Sequence, residues 1–209
     1  MLPDELRTAR LLLRPWRATD AAELQPILAA NVAHLSPWIP RRVAEPADVE
    51  RLEERLAEFS AAFEESREWR YAMFSIDTGA VLGELSLFPR NAAGRVSFDI
   101  ADEIEIGYWI RADATAQGLV TEAARAARGV ALSLPGISRI SIRCDERNAA
   151  SAGIPRRLGF QLVATLLESG VLPGSTCRLQ IWEHPSRLLP PAPLSATLDG
   201  NRRQESGHG

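Results

Sequence analysis

Apolar and polar positions change their period along the chain, and the changes mark out its elements. Residues 10–17 (RLLLRPWR) form a short apolar run stopped by Pro15, which predicts a first strand. Thr19 or Asp20 then opens a helix over AAELQPILAANVAHL. Asp20 and Glu23 stand at capping-box spacing there, and Pro26 inside the pattern predicts a kink or a split. SPWIPRR reads as a loop that presents Trp38. In residues 46–65 the apolar positions Val49, Leu52, Leu56, Phe59 and Phe63 recur at three- to four-residue steps, so an amphipathic helix is expected.

The period then shortens. Residues 69–76 and 81–88 read as two arms of a hairpin around Asp77-Thr78-Gly79, with a break over 89–94 and a continuation of the sheet over 96–100. Residues 103–110 (EIEIGYWI) alternate charged and apolar side chains, as a half-buried strand does. An Ala-rich helix follows over 121–134, suited to close packing on a sheet, then a strand over 137–144. A short helix starts at Asn148, and residues 160–168 and 175–183 close the order as a strand pair. Antiparallel pairing combined with a strand–helix–strand crossover predicts an α+β, or mixed α/β, fold. Residues 1–184 are expected to form one domain and 185–209 a Pro/Ser/Gly-rich tail.

Composition agrees with one globular domain. The 209 residues are 45% hydrophobic and 24% charged, with a formal net charge of −3. No basic excess points to nucleic acid or an anionic membrane as partner. Cys144 and Cys177 are far apart, and no Cys/His spacing suggests a metal. The N-terminus lacks the apolar core of a signal peptide, and no apolar run is long enough for a membrane span, so a cytoplasmic protein with reduced thiols is expected.

Chemistry concentrates in EIGYWIRADATAQGLVTEAARA. It reads as a strand, a glycine-containing loop and a helix start. Unpaired N–H groups and the positive end of a helix dipole can hold phosphate oxygens there, and Gly118 allows close approach. Taken alone, such a unit is also an ordinary turn.

The stretch resembles the acetyl-CoA motif of the GNAT superfamily of N-acetyltransferases, and the chain is more narrowly similar to the ribosomal-protein N-terminal acetyltransferases of the RimJ and RimL type. Three other segments agree in order: RTARLLLRPWRATDAAEL, VAHLSPWIPR, and RCDERNAASAGIPRRLGFQLVATL with its Asn-x-x-Ser and Leu-Gly-Phe. The resemblance implies a mostly antiparallel seven-stranded sheet, splayed between parallel strands 103–110 and 137–144 and flanked by helices. It implies acetyl-CoA as co-substrate and no metal. Tyr108, Trp109 and Ile110 are then expected along the pantetheine arm. Ala116, Gln117, Gly118, Leu119, Val120 and Thr121 would lie at the pyrophosphate, and Asn148 and Ser151 near the thiol end. The family's phosphate pattern has Arg or Gln, then Gly, then Gly or Ala; here those positions are Thr115, Gly118 and Val120, and Ala116 stands where Gly is common.

Transfer to an amine requires a neutral nitrogen, so a base must take a proton. The resemblance assigns that role to Glu105, with Glu103 on the same strand face. The superfamily's frequent general-acid Tyr falls at Pro155, which leaves the Ser151 hydroxyl as the proton donor or as a hydrogen bond to sulfur. Trp38 and Arg41, with Glu103, are the candidate acceptor contacts. The expected activity is direct acetyl transfer in a ternary complex to a protein or peptide N-terminal amine, by a monomer or homodimer. The alternatives are acetylation of a small amine, a non-catalytic acetyl-CoA sensor, or a scaffold that binds nothing.

Overall fold

The computed structural model describes residues 2–185; residues 186–209, most of the tail assigned from sequence, lie outside the described residues. In chain order the elements are β1 (Leu6–Arg7), β2 (Leu11–Pro15), α1 (Ala21–Ala30), α2 (Val32–Leu35), α3 (Arg41–Ala44), α4 (Val49–Glu64), β3 (Trp69–Ser75), β4 (Val81–Asn91), β5 (Gly94–Arg95), β6 (Glu103–Ile110), α5 (Leu119–Ala131), β7 (Arg139–Asp145), α6 (Ala149–Arg157), β8 (Gln161–Ser169) and β9 (Thr176–Glu183). They build one nine-stranded sheet in the order β1-β2-β3-β4-β6-β7-β9-β8, with β5 paired to β4. The two strands beyond the seven expected are the two-residue β1 and β5, too short to show any alternation.

All pairings are antiparallel except β6 with β7. That parallel ladder joins only Glu103–Ile106 to Arg139–Ile142. Past it, Gly107–Ile110 stay on β4 while Arg143–Asp145 stay on β9, so the sheet opens into a gap.

One face of the sheet carries α5. Ala123, Ala124, Ala127 and Ala131 are fully buried against Ile104, Ile106, Ile140 and Ile142, because methyl side chains let the helix axis come close. The other face is covered by α1 and α4, whose Leu52, Leu56 and Phe59 enclose Trp16, Ala72 and Trp109. Each large apolar side chain so buried contributes about 1.5–3 kcal/mol. Asp48 caps α4 by accepting from the Arg51 N–H at 2.9 Å.

Four local expectations change. The capping box at Asp20 and Glu23 does not form. A 3-10 turn over Ala18–Asp20 already gives Asp20 a helical backbone, so its carboxylate instead pairs with Arg14 at 2.7 Å, and Glu23 accepts from the Val81 N–H at 2.8 Å. The helix runs through Pro26 and breaks at Asn31. Pro89 does not end β4. Its carbonyl accepts from the Val96 N–H at 3.1 Å on the side where β3 has already ended, so the missing N–H costs no ladder bond. Residues 96–100 do not extend the sheet; Phe98–Ile100 form a 3-10 turn with Phe98 packed edge-on against Trp69.

Candidate active site

Strand geometry determines which backbone groups face the gap. The Arg111 N–H donates to the Leu82 carbonyl at 2.8 Å, so the N–H and C=O of Trp109 point to β4 and those of Tyr108 and Ile110 point into the opening. The Ile110 carbonyl is taken by His34 Nε2 at 3.1 Å. Next to it, Asn31 Oδ1 accepts from the Ala112 N–H at 2.7 Å. These two bonds strap the end of α1 and all of α2 onto the far end of β6. Nothing in the local pattern around Asn31 or His34 announces them, because the partner strand lies about eighty positions away.

The gap continues into a cleft of about 1060 Å³. Trp38, Tyr108, Trp109, Ile110, residues 116–121, Asn148 and Ser151 all line it. The cleft thus gathers every expected cofactor residue from three separate segments, with Trp38 from a fourth. At its floor Gly118 takes φ +76 as the N-cap of α5, and Ala116 takes φ +59. Among the described residues the N–H groups from Ala116 to Thr121 have no acceptor in the chain. Together they form a concave set of donors at a helix start, a geometry suited to anionic oxygens. Arg10 braces this loop from behind, donating to the Gln117 carbonyl at 2.9 Å and pairing with Glu122 at 2.7 Å.

Asn148 caps α6, accepting from the Ser151 N–H at 3.0 Å. The cap places Ser151 beside β6, where the Tyr108 hydroxyl lies 3.2 Å from Ser151 Oγ. Burial pushes the Tyr108 phenol above its usual range, and the bond to Ser151 only partly offsets this, so the ring keeps its proton at neutral pH. Cys144 on β7 also lines the cleft, and burial pushes its thiol up as well. Tyr108 as a second hydroxyl was missed from sequence, where it stood only as a main-chain contact.

Glu105, Glu103 and Arg41 do not line the cleft. Glu105 lies on the sheet face opposite α5, two residues before the cleft-lining Gly107. Its Oε2 accepts from Arg90 Nη1 at 2.8 Å and sits 3.6 Å from Arg143 Nε. Glu103 is 2% exposed, held by Ser141 and by Arg143 and Arg139 at 3.1 and 3.3 Å, so it is a buried ion-pair residue with no free edge for an acceptor. The expected stacking of two carboxylates is thus broken up by guanidinium groups. Arg41 turns to solvent and pairs with Glu45 one helical turn on. Among the described residues no group of three or more His, Cys, Asp or Glu is arranged to hold a metal ion, and no helix is long and apolar enough to cross a membrane.

The family profile described as "Acetyltransferase (GNAT) domain" matches residues 10–161. The chain belongs to the GNAT acetyltransferases. Its co-substrate is acetyl-CoA, and the open β6 edge and the N–H cradle fit the pantetheine and diphosphate of such a ligand. A relative named probable N-acetyltransferase YjcK, from Bacillus subtilis (strain 168), is 24% identical over 156 residues, 74% of this chain and 82% of that protein. The microcin C7 self-immunity acetyltransferase MccE, solved with acetyl-CoA and AMP, superposes with a TM-score of 0.75 at 17% identity, covering 87% of this chain and 96% of that one. RimL, a ribosomal L7/L12 α-N-protein acetyltransferase solved with CoA, gives 0.71 at 19% identity, covering 85% and 94%. The acetyltransferase shares their fold.

Proposed function

We propose that this acetyltransferase modifies the N-terminal amine of a protein or peptide. The observation that carries the reading is the form of the cleft beyond the gap. It runs out between Trp38 on one side and the β8–β9 hairpin on the other, where Glu168, Ser169, Val171 and Cys177 join its lining. Such a trough, walled by the α2–α3 turn and an extended hairpin, suits a chain end. The acidic groups on it are few, and Asp145 is neutralised by Arg147 at 2.6 Å, so it offers little to a polycationic small amine. RimL, whose name describes α-N-protein acetylation, has the same fold.

In this reading Glu105, set back from the cleft lining, takes a proton from the acceptor ammonium through water, which frees the nitrogen lone pair. The nitrogen attacks the thioester carbonyl carbon; the C–N bond forms and the C–S bond breaks. The cradle over residues 116–121 holds the donor still, and the Tyr108 and Ile110 main chain aligns its arm. Ser151, with the Tyr108 phenol behind it, gives a proton to the leaving sulfur and is reprotonated by the second proton that the attacking nitrogen sheds as the intermediate collapses, so the products are a neutral amide and a free thiol.

The test is a turnover screen with acetyl-CoA across N-terminal peptides, polyamines, aminoglycosides and amino acids. Turnover confined to peptides whose α-amine is free, and abolished by blocking it, is the expected result. Preference for a small amine makes it a small-molecule acetyltransferase, and CoA binding without any turnover makes it a sensor.

A further inference from the structure

We propose that Arg157, at the end of α6, supplies the cationic partner of the cofactor diphosphate; this rests on residues 116–121 being the diphosphate cradle. The cradle needs such a partner from elsewhere, because residues 112–121 contain no basic side chain. Backbone N–H groups alone carry only partial charge, whereas a diphosphate carries full negative charges.

Three observations converge on Arg157. Its Nε lies 3.4 Å from Thr121 Oγ1, so the guanidinium sits at the first turn of α5. It lines the cleft together with Arg143 and Arg147, yet the other two are engaged: Arg143 with Glu103 at 3.1 Å, Arg147 with Asp145 at 2.6 Å. Arg157 is exposed and, among the described residues, has no carboxylate partner. The third observation is steric. The guanidinium folds back over Gly153, one turn earlier on α6, where an added Cβ would stand 3.0 Å from Nη1. A glycine inside a helix costs about 0.5–1 kcal/mol relative to alanine. Here it leaves the space through which Arg157 reaches the cradle. The planar guanidinium can then hold two phosphate oxygens in one bidentate fork, a geometry that a lysine ammonium lacks.

The experiment measures CoA and dephospho-CoA binding to the full chain by calorimetry, in wild type, Arg157→Gln and Arg157→Lys, with the melting temperature of each ligand-free protein as control. Arg157→Gln is expected to weaken both ligands by about 10- to 100-fold, as loss of a charge-assisted pair does, with Arg157→Lys in between and ligand-free melting unchanged. Loss of affinity for CoA but not for dephospho-CoA would assign the arginine to the 3′-phosphate and overturn the proposal. So would equal binding by Arg157→Gln and wild type, or a fall in ligand-free melting temperature that accounts for the loss. If wild type binds neither ligand, the cradle reading itself fails, a result separate from these.

Discussion

The Tyr108 hydroxyl lies 3.2 Å from both the hydroxyl and the carbonyl oxygen of Ser151, and so joins the unpaired length of β6 to the first turn of α6 across the gap. A serine alone is a poor acid; in the proposed mechanism the phenol behind it completes a two-hydroxyl relay. Tyr108→Phe and Ser151→Ala are each expected to lower kcat by about 100-fold, and the double variant to be little worse than either, because residues acting as a unit are not additive. Full additivity would show that they act separately. Since burial raises the Tyr108 phenol, wild-type kcat is expected to keep its value up to about pH 10, the free phenol value.

Glu105 is the second test of the chemistry. Its carboxylate is held by Arg90 at 2.8 Å and lies 3.6 Å from Arg143, on the sheet face opposite α5. Glu105→Gln keeps the size and a hydrogen-bond acceptor and removes the base. The expected outcome is a fall in kcat of about 100-fold or more at neutral pH, with the CoA dissociation constant within about two-fold of wild type in the same calorimetry. Unchanged turnover across the pH range would remove Glu105 from the mechanism.

The cradle stores strain at Ala116, whose φ of +59 is left-handed. An L-residue with a Cβ there costs about 1–2 kcal/mol, part of which glycine recovers. Ala116→Gly is therefore expected to raise the melting temperature by about 2–4 °C in a domain of this size and to leave CoA binding intact. A lower melting temperature would mean that the loop is set by contacts stronger than its own torsion.

Acid should loosen the same loop. Burial pushes the Glu122 carboxyl up, but hydrogen bonds from Thr8 and Arg10 outweigh it and hold the group below its ordinary value. A carboxyl lowered by folding adds stability above its unfolded pKa and loses that stability as pH falls through the folded one. The urea-midpoint difference between wild type and Glu122→Gln is expected to be largest near pH 7 and to close below about pH 4. A difference that stays constant with pH would make the Arg10–Glu122 contact one of packing, not charge.

Asn148 caps α6 and also lines the cleft. Asn148→Ala should cost about 1 kcal/mol in urea unfolding, and Asn148→Asp, which retains the acceptor for the Ser151 N–H, should cost little. The two variants separate α6 stability from any contact the amide NH₂ makes in the cleft: equal activity in the Asp variant and wild type would leave only the cap.

The sequence by itself determined the elements and the order of the chemistry. The alternation over 103–110 marks β6 from end to end, and the spacing of Leu52, Leu56, Phe59 and Phe63 marks the buried stripe of α4. These patterns are legible because period two and period 3.6 are set by backbone geometry within a few residues. Asn148 as a helix start and Gly118 as a loop glycine are local in the same sense. Only the tertiary structure decided which side chains meet. Glu103 and Glu105 alternate as exposed acids would, yet β7 brings Arg139 and Arg143 beside them. Tyr108 and Ser151 meet across the gap, Arg157 comes to Thr121 from another helix, and Arg10 reaches the cradle from the turn between β1 and β2. Those contacts depend on β6 standing between β4 and β7 and parting from β7 after Ile106, a consequence of sheet order that no window of neighbouring residues contains.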